Sequence, residues 1–229
     1  MITEAIILAG GMGTRLKSAV PDLPKCMAPV NGKPFIEYVI SYFKQQGVNR
    51  FIFALGYKSE AFHSFLDEQQ GIEYQLSTED EPLGTGGAIL KACGLSTSEN
   101  LFVTNGDTLY RADLDALSAF HFQHHSECTL CLKPMQQSDR YGMVETNAEG
   151  RIISFREKQY YEQGLINGGL YAISRERLLQ KRLPEKCSFE KDYLEKYYTG
   201  GAIFGMVQDA YFIDIGIPED YHRAATELQ

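Results

Sequence analysis

The sequence has little that would take it into a membrane or an oxidising compartment. No apolar run approaches the ~20 residues that a helix needs to span a bilayer. The start, Met1-Ile2-Thr3-Glu4, leads directly into an apolar segment without the basic stretch and apolar core of a secretory leader. Positive charge is in deficit, with 22 Lys and Arg against 30 Asp and Glu and a net charge of −8. An acidic chain is a poor general partner for nucleic acid or an anionic membrane surface. The five cysteines are odd in number and scattered through apolar or helical contexts, unlike the framework of a disulfide scaffold. These features predict a cytoplasmic protein with reduced thiols. Repeats, low-complexity tracts and linkers are missing too. At 229 residues the chain is near the upper size for one core, so a single domain over 1–229 is expected.

What is present is concentrated near the start. Ala5-Ile6-Ile7-Leu8-Ala9 is a short continuous apolar run, the pattern of a strand buried on both faces. It stops at Gly10-Gly11-Met12-Gly13-Thr14-Arg15, where glycines let the backbone turn sharply and bring bare N–H groups up to a ligand. Successive N–H groups make an anion cradle, and Arg15 adds a permanently charged fork suited to phosphate oxygens. Lys25 follows Pro24 on a segment whose prolines (Pro21, Pro24 and Pro29) favour a stiff, extended path. A strand, a glycine loop with one cation and a second cation on a rigid return predict a polyphosphate site. The loop is not a Walker loop, because no Gly-Lys-Ser/Thr closes it. It is a poor dinucleotide fingerprint, because Leu16 stands at the third glycine position. A tight turn with a solvated arginine accounts for the glycines alone, but not for Arg15 together with the Pro24-Lys25 pair.

Further along, apolar spacing predicts helices and strands in alternation. Ile36, Val39, Ile40 and Phe43 repeat at helical spacing over 34–46, with Gly47 as the stop. Strands are expected over 50–55, 72–76 and 101–104, and helices after Ser59, from the glycines at 84–87, and over 113–124. Strands alternating with helices in this way indicate an α/β domain with a largely parallel sheet. From about residue 142 the pattern changes. A hairpin is expected around Asn147-Ala148-Glu149-Gly150, an apolar strand over 165–173, helices over 174–180 and 189–198, a pair of strands over 202–207 and 211–215, and a closing helix from Pro218.

Two aspartates stand out. Asp107 ends Asn105-Gly106-Asp107 just after a strand, where open α/β sheets bind ligands. Asp214 lies inside the apolar run Tyr211–Pro218, where a carboxylate is costly to bury unless it is paired or metal-bound. Carboxylates are hard oxygen ligands suited to Mg²⁺, which typically uses one or two of them plus substrate phosphates. A second cluster, His121, His124, His125, Cys128 and Cys131, has a CxxC spacing but no second pair. Its cysteines fall on opposite faces of an expected strand, so packed or solvated side chains explain it better than zinc.

The run LAGGMGTRL, the Pro24-Lys25 pair and PVNGKPFIEY resemble the opening signature of the sugar-1-phosphate nucleotidyltransferases, with Cys26 where most members have proline. The resemblance covers nearly the whole chain. It implies a Rossmann-like α/β nucleotidyltransferase fold, a central mixed, mostly parallel sheet flanked by helices, with a nucleotide-binding half at about 1–110 and a sugar-binding half at about 111–229. It implies that Leu8, Ala9, Gly10, Gly11, Gly13, Thr14 and Arg15 hold the nucleotide, together with Gly84 and Thr85 in PLGTGGA. Tyr141, Gly142, Glu157 and Asn167 are implied to hold the sugar, Asp107 and Asp214 to bind Mg²⁺, and Arg15, Lys25 and Lys158 to act in catalysis. Gln159 replaces the proline usual after the Glu157-Lys158 pair.

The segments EPLGTGGAI, FVTNGDT, DRYGMV, GLINGGLY, CSFEKDYLEKYY and YFIDIGIPEDY look most like the guanylyltransferases of D-glycero-α-D-manno-heptose 1-phosphate. The expected partners are therefore an NTP, with GTP favoured, and a sugar 1-phosphate. Enzymes joining GTP to mannose 1-phosphate, or UTP to other sugar phosphates, stand nearby. A catalytically silent regulatory subunit would show gaps in the motif set. Arg15, Lys25, Asp107, Lys158 and Asp214 are all present. A glycosyltransferase would place its metal on Asp-x-Asp, which Asn105-Gly106-Asp107 is not. No hexapeptide period of a left-handed β-helix follows. Oligomeric state has no signal in the sequence.

Overall fold

The first strands are apolar on both faces, and both faces are covered. A computed structural model of the chain describes residues 1–11, 16, 23–56, 59–156 and 158–228. Strand β1 (Glu4–Leu8) leads through a 3-10 turn at Lys25–Met27 to a small hairpin, β2 (Pro29–Val30) and β3 (Lys33–Pro34). Helix α1 (Phe35–Gln45) follows, then β4 (Arg50–Leu55), α2 (Glu60–Asp67), β5 (Glu73–Thr78), α3 (Gly84–Cys93) and β6 (Asn100–Asn105). The chain continues through β7 (Thr108–Tyr110), α4 (Leu114–Gln123), β8 (Cys128–Ser138), β9 (Met143–Thr146), β10 (Ile152–Arg156) and β11 (Tyr161–Ser174). Short α5 (Arg175–Leu179) precedes a π-helical turn at Phe189–Leu194 that runs into α6 (Glu195–Tyr197). Strands β12 (Ile203–Val207) and β13 (Phe212–Asp214) and helix α7 (Pro218–Glu227) complete the order.

β1 lies between β4 and β6, parallel to both, and β5 extends the sheet in parallel beyond β4. β11 then joins antiparallel to β6 and carries β8 and the β9–β10 hairpin as antiparallel neighbours, with β12 parallel to β8. The sheet is thus mixed, as expected, and parallel where helices cross over. Side chains alternate between two apolar layers. Ile7, Phe51, Phe53 and Leu55 face α1, α2, α4 and α7, whereas Ile6, Ile52 and Ala54 face α3 and the π-helical turn. In α1 the expected residues Ile36, Val39, Ile40 and Phe43 are all buried, and Phe43 meets Phe102 edge-on at 6.2 Å. Gly47 ends that helix at φ +85°, a conformation that only glycine adopts cheaply.

The expected pair of strands near the C-terminus separates. β12 extends the main sheet beside β8, whereas β13 leaves it and pairs antiparallel with β7. Tyr110 draws the connection away: its hydroxyl donates to the Gln208 carbonyl, and its ring meets Phe212 edge-on at 5.5 Å. The expected helix over 189–198 begins as the π-helical turn, capped by Ser188, which accepts from the Lys191 N–H.

The His121, Cys128 and Cys131 cluster is absorbed by packing. His121 is 1 % exposed and hydrogen-bonded to Thr129 and Asn100, His124 stacks on Phe120, and both cysteines are buried. Burial, helped by the Arg177 charge, pushes the His121 pKa down to about 4. The unfolded chain, with an ordinary imidazole near pH 6.5, therefore binds one more proton than the fold between those values. Stability present above pH 6.5 is expected to fall, by up to about 3 kcal/mol, as pH drops through that window. Urea unfolding across pH 4–7 checks this, and a His121→Gln variant should show a flatter profile than the parent.

Candidate active site

The C-terminal ends of β1 and β6 place the site. The Gly106 N–H donates to the Leu8 carbonyl at 2.9 Å, and a Cβ on Gly106 would stand 3.0 Å from that oxygen. Only glycine lets the chain pass so close, and the turn delivers Asp107 beside the end of β1. A Cβ on Gly10 would likewise stand 3.0 Å from the Gly56 nitrogen after β4, and the Ala9 N–H donates to the Ala54 carbonyl. No described atom lies within 4 Å of where a Gly11 Cβ would stand. Gly13, Thr14, Arg15 and Glu157 lie outside the described residues.

Asp214 reaches the same point through strand pairing. β13 sets it opposite Thr108, the residue after Asp107, and the Ile215 N–H donates to the Asp107 carbonyl at 3.0 Å. Lys25 arrives from the 3-10 turn after Pro24, whose N–H is missing anyway and whose fixed φ of −56° sets the entry. Its ammonium donates to Asp107 Oδ2 at 2.5 Å and to Asp214 Oδ1 at 3.3 Å, with the lysine side chain only 12 % exposed. The two carboxylates therefore converge on one cation. Asp214 Oδ2 also accepts from the Tyr141 hydroxyl at 3.3 Å and lies 4.0 Å from Arg140, which is itself held by Asp220 on α7. Burial, with the Asp214 charge beside it, keeps the Tyr141 phenol protonated far above its ordinary range. Cys26 is buried beneath this turn, and its thiol is pushed up by burial, so it is a packing residue with no nucleophilic thiolate.

A cavity of about 540 Å³ opens beside this cluster. It is lined by Lys25, Asp107, Tyr141, Gly142, Lys158, Asn167 and Asp214, all named from the sequence. Asn167 sits where β11 loses register. Its amide donates to the Tyr171 hydroxyl at 2.7 Å and its carbonyl accepts from Gly169. The glycines that follow are explained by close neighbours. A Cβ on Gly168 would stand 2.5 Å from the Tyr110 ring, and one on Gly169, at φ +69°, would overlap the Asn105 amide. Gly142 admits the Arg156 carbonyl, 2.6 Å from a Cβ there.

The helix expected from the glycines at 84–87 forms as α3, and its start is gripped from within the protein. The N–H groups of Gly86 and Gly87 both go to the Cys187 carbonyl, and Cys187 donates back to Leu83. The Thr85 hydroxyl accepts from the Phe189 N–H at 2.8 Å and donates to Glu190 at 3.0 Å. This loop thus grips the segment Cys187–Glu190 and brings Ser188, Glu190, Lys191 and Glu195 into the cavity wall. None of those four stands out in the sequence as a site residue. Their signal was weak, a charged helical face that ordinarily reads as solvated surface. Phe155 and Phe212 add apolar wall.

The nucleotidyl transferase family model matches residues 4–229. The chain belongs to that family. It is 47% identical over 227 residues to a D-glycero-α-D-manno-heptose 1-phosphate guanylyltransferase of Aneurinibacillus thermoaerophilus, covering 99% of this chain and 98% of the relative. An enzyme of the same name from Campylobacter jejuni is 45% identical over 221 residues, covering 96% of this chain and 97% of the relative. Among solved structures, HddC from Yersinia pseudotuberculosis complexed with GMP-PN superimposes with a TM-score of 0.89 at 35% identity, over 100% of both chains. For a member of this family, two convergent aspartates, an interposed lysine and an adjacent polar cavity form the candidate centre for phosphate chemistry. Among the described residues no helix is long and apolar enough to cross a membrane.

Proposed function

We propose that this nucleotidyl transferase joins GTP to D-glycero-α-D-manno-heptose 1-phosphate, giving GDP-heptose and pyrophosphate. The observation that carries the reading is near full-length identity of 45–47% to two enzymes bearing that activity as their name. It is supported by a polar cavity beside the lysine and aspartate cluster. An oxygen of the sugar phosphate attacks the α-phosphorus of GTP, the bond from that phosphorus to the β-phosphate oxygen breaks, and pyrophosphate leaves. The attacking phosphate is already anionic at neutral pH, so the residues need only position and neutralise. We assign the loop Leu8–Gly11, Gly13, Thr14 and Arg15 to the triphosphate, and Gly84 and Thr85 to the nucleotide through backbone groups. Lys25 offsets charge growing at the α-phosphate, and Lys158 holds the sugar phosphate for attack. Tyr141, Gly142, Glu157 and Asn167 take the sugar.

The convergence of Asp107 and Asp214 on one ammonium is the donor set that a divalent cation needs, and we assign Mg²⁺ to this pair. When bound, the ion would neutralise phosphate oxygens of both substrates. Five buried free cysteines support a cytoplasmic location. The test is pyrophosphate release with Mg²⁺, crossing GTP, UTP, dTTP, CTP and ATP with heptose, mannose and glucose 1-phosphates. Turnover with GTP and the heptose phosphate at least tenfold above any other pair is expected. A preference for UTP or for mannose phosphate would overturn the substrate, and no release with any pair would overturn the activity.

A further inference from the structure

We propose that Glu190 is a sugar-hydroxyl acceptor in this cavity and is aimed there by Thr85 and Ser188. The inference rests on the sugar-phosphate reading above. Glu190 stands in the first turn of the π-helical segment, half-buried, in the cavity wall supplied by residues 188–195. Two hydroxyls are committed to one of its oxygens, Thr85 Oγ1 at 3.0 Å and Ser188 Oγ at 3.1 Å, both on Oε2. The direction of each bond is fixed by backbone. Thr85 Oγ1 accepts the Phe189 N–H and Ser188 Oγ accepts the Lys191 N–H, so each hydroxyl proton is left to donate to the carboxylate.

Oε1 has no hydrogen-bond partner among the described residues, and no described Lys, Arg or His nitrogen lies within 4.0 Å of the carboxylate. A carboxylate fixed at one oxygen and unneutralised at the other does not suit a phosphate. It suits neutral hydroxyl donors, and a carboxylate accepts from these more strongly than a neutral group does. The π-helical turn is itself an irregularity of the kind that re-aims side chains at functional sites. The phosphate end of the substrate has its own cations in Lys25 and Lys158, on other elements of the same cavity. Glu190 is therefore the acceptor for hydroxyls of the sugar, and Thr85 is a positioning residue that ties it to the start of α3.

Glu190→Gln tests this in the full chain, because the amide keeps one acceptor for Thr85 and Ser188 but turns an NH₂ towards the sugar. The expected result is a KM for D-glycero-α-D-manno-heptose 1-phosphate raised tenfold or more, with KM for GTP within twofold of the parent. Thr85→Val should shift the same KM by a smaller factor, and Thr85→Ser, which keeps the hydroxyl, should restore it. An unchanged sugar KM in a Glu190→Gln protein with a normal melting curve would overturn the assignment. So would a KM for GTP that rises in step, which would put the carboxylate on the nucleotide. If the parent chain shows no turnover, the activity reading fails on its own. Calorimetric binding of the same sugar phosphate to parent and variant then still decides the role of Glu190, with equal affinity overturning it.

Discussion

Replacing Lys25 by Met should lower kcat for pyrophosphate release by a factor on the order of 10³ while leaving the chain folded. The magnitude follows from losing one preorganised cation at a centre where phosphate charge develops, for which a single donor typically accounts for 10²- to 10³-fold. The geometry sharpens the expectation. The ammonium is the cation on which Asp107 and Asp214 converge, at 2.5 and 3.3 Å, and its removal leaves two carboxylates facing one another. Added Mg²⁺ should therefore raise the melting temperature of Lys25→Met more than that of the parent, in which the ammonium already stands between the acids. Lys25→Arg should not rescue turnover. The planar guanidinium cannot occupy the compact position of an ammonium on a 12 % exposed side chain. Near-normal turnover in Lys25→Met, with a melting curve confirming the fold, would remove Lys25 from the mechanism.

Gly87→Ala is expected to destabilise the protein by about 2–3 kcal/mol, against the direction that helix propensity alone dictates. Gly87 lies in the first turn of α3, and in an open helix alanine would be favoured over glycine by about 1 kcal/mol. Here a Cβ would overlap the Glu185 carbonyl oxygen and stand 2.7 Å from Leu83 Cβ. The first is backbone, held close because Cys187 exchanges hydrogen bonds with Leu83, Gly86 and Gly87 at the start of α3, so no side-chain rotation relieves it. The helix and the segment carrying Glu190 must move apart. A melting temperature lower by roughly 4–12 °C is expected for a chain of this size. Gly200→Ala, where a Cβ meets no described atom within 4 Å, should change stability by no more than about 0.5 kcal/mol and serves as the control. Equal melting temperatures for the two variants would show that the 185–189 segment yields without cost.

The order of strands and helices was legible because burial on one or two faces writes a period into the residues. Arg50–Leu55, in which the five residues after Arg50 alternate between two apolar layers, is a strand over the bounds its pattern predicts. Helix α1 ends where Gly47 allows a positive φ. Lys25, Asp107 and Asp214 could be named from local pattern, such as a lysine after proline or a carboxylate in an apolar run, whereas Tyr141 and Asn167 were named from the family resemblance. What local pattern does not carry is pairing between distant segments. β7, three residues long, was too short to leave a period, yet it is the strand that sets Asp214 beside Asp107. The divergence of β12 from β13 depends on the Tyr110 ring and hydroxyl, a contact across 98 residues.

The glycines of the PLGTGGA loop show the same division. Gly84, Gly86 and Gly87 are legible in the residues as a helix start. That their neighbour within the protein is the Cys187 turn, at 2.5 Å from a Cβ on Gly84, comes from contact between distant segments. Through that grip Glu190 enters the cavity. Local sequence specifies backbone conformation and which face is apolar, because both depend on neighbours along the chain. The convergence of Lys25, Asp107 and Asp214, and the aim of Glu190, depend on steric exclusion and hydrogen bonds between segments far apart in sequence. Those exist only once the sheet has closed.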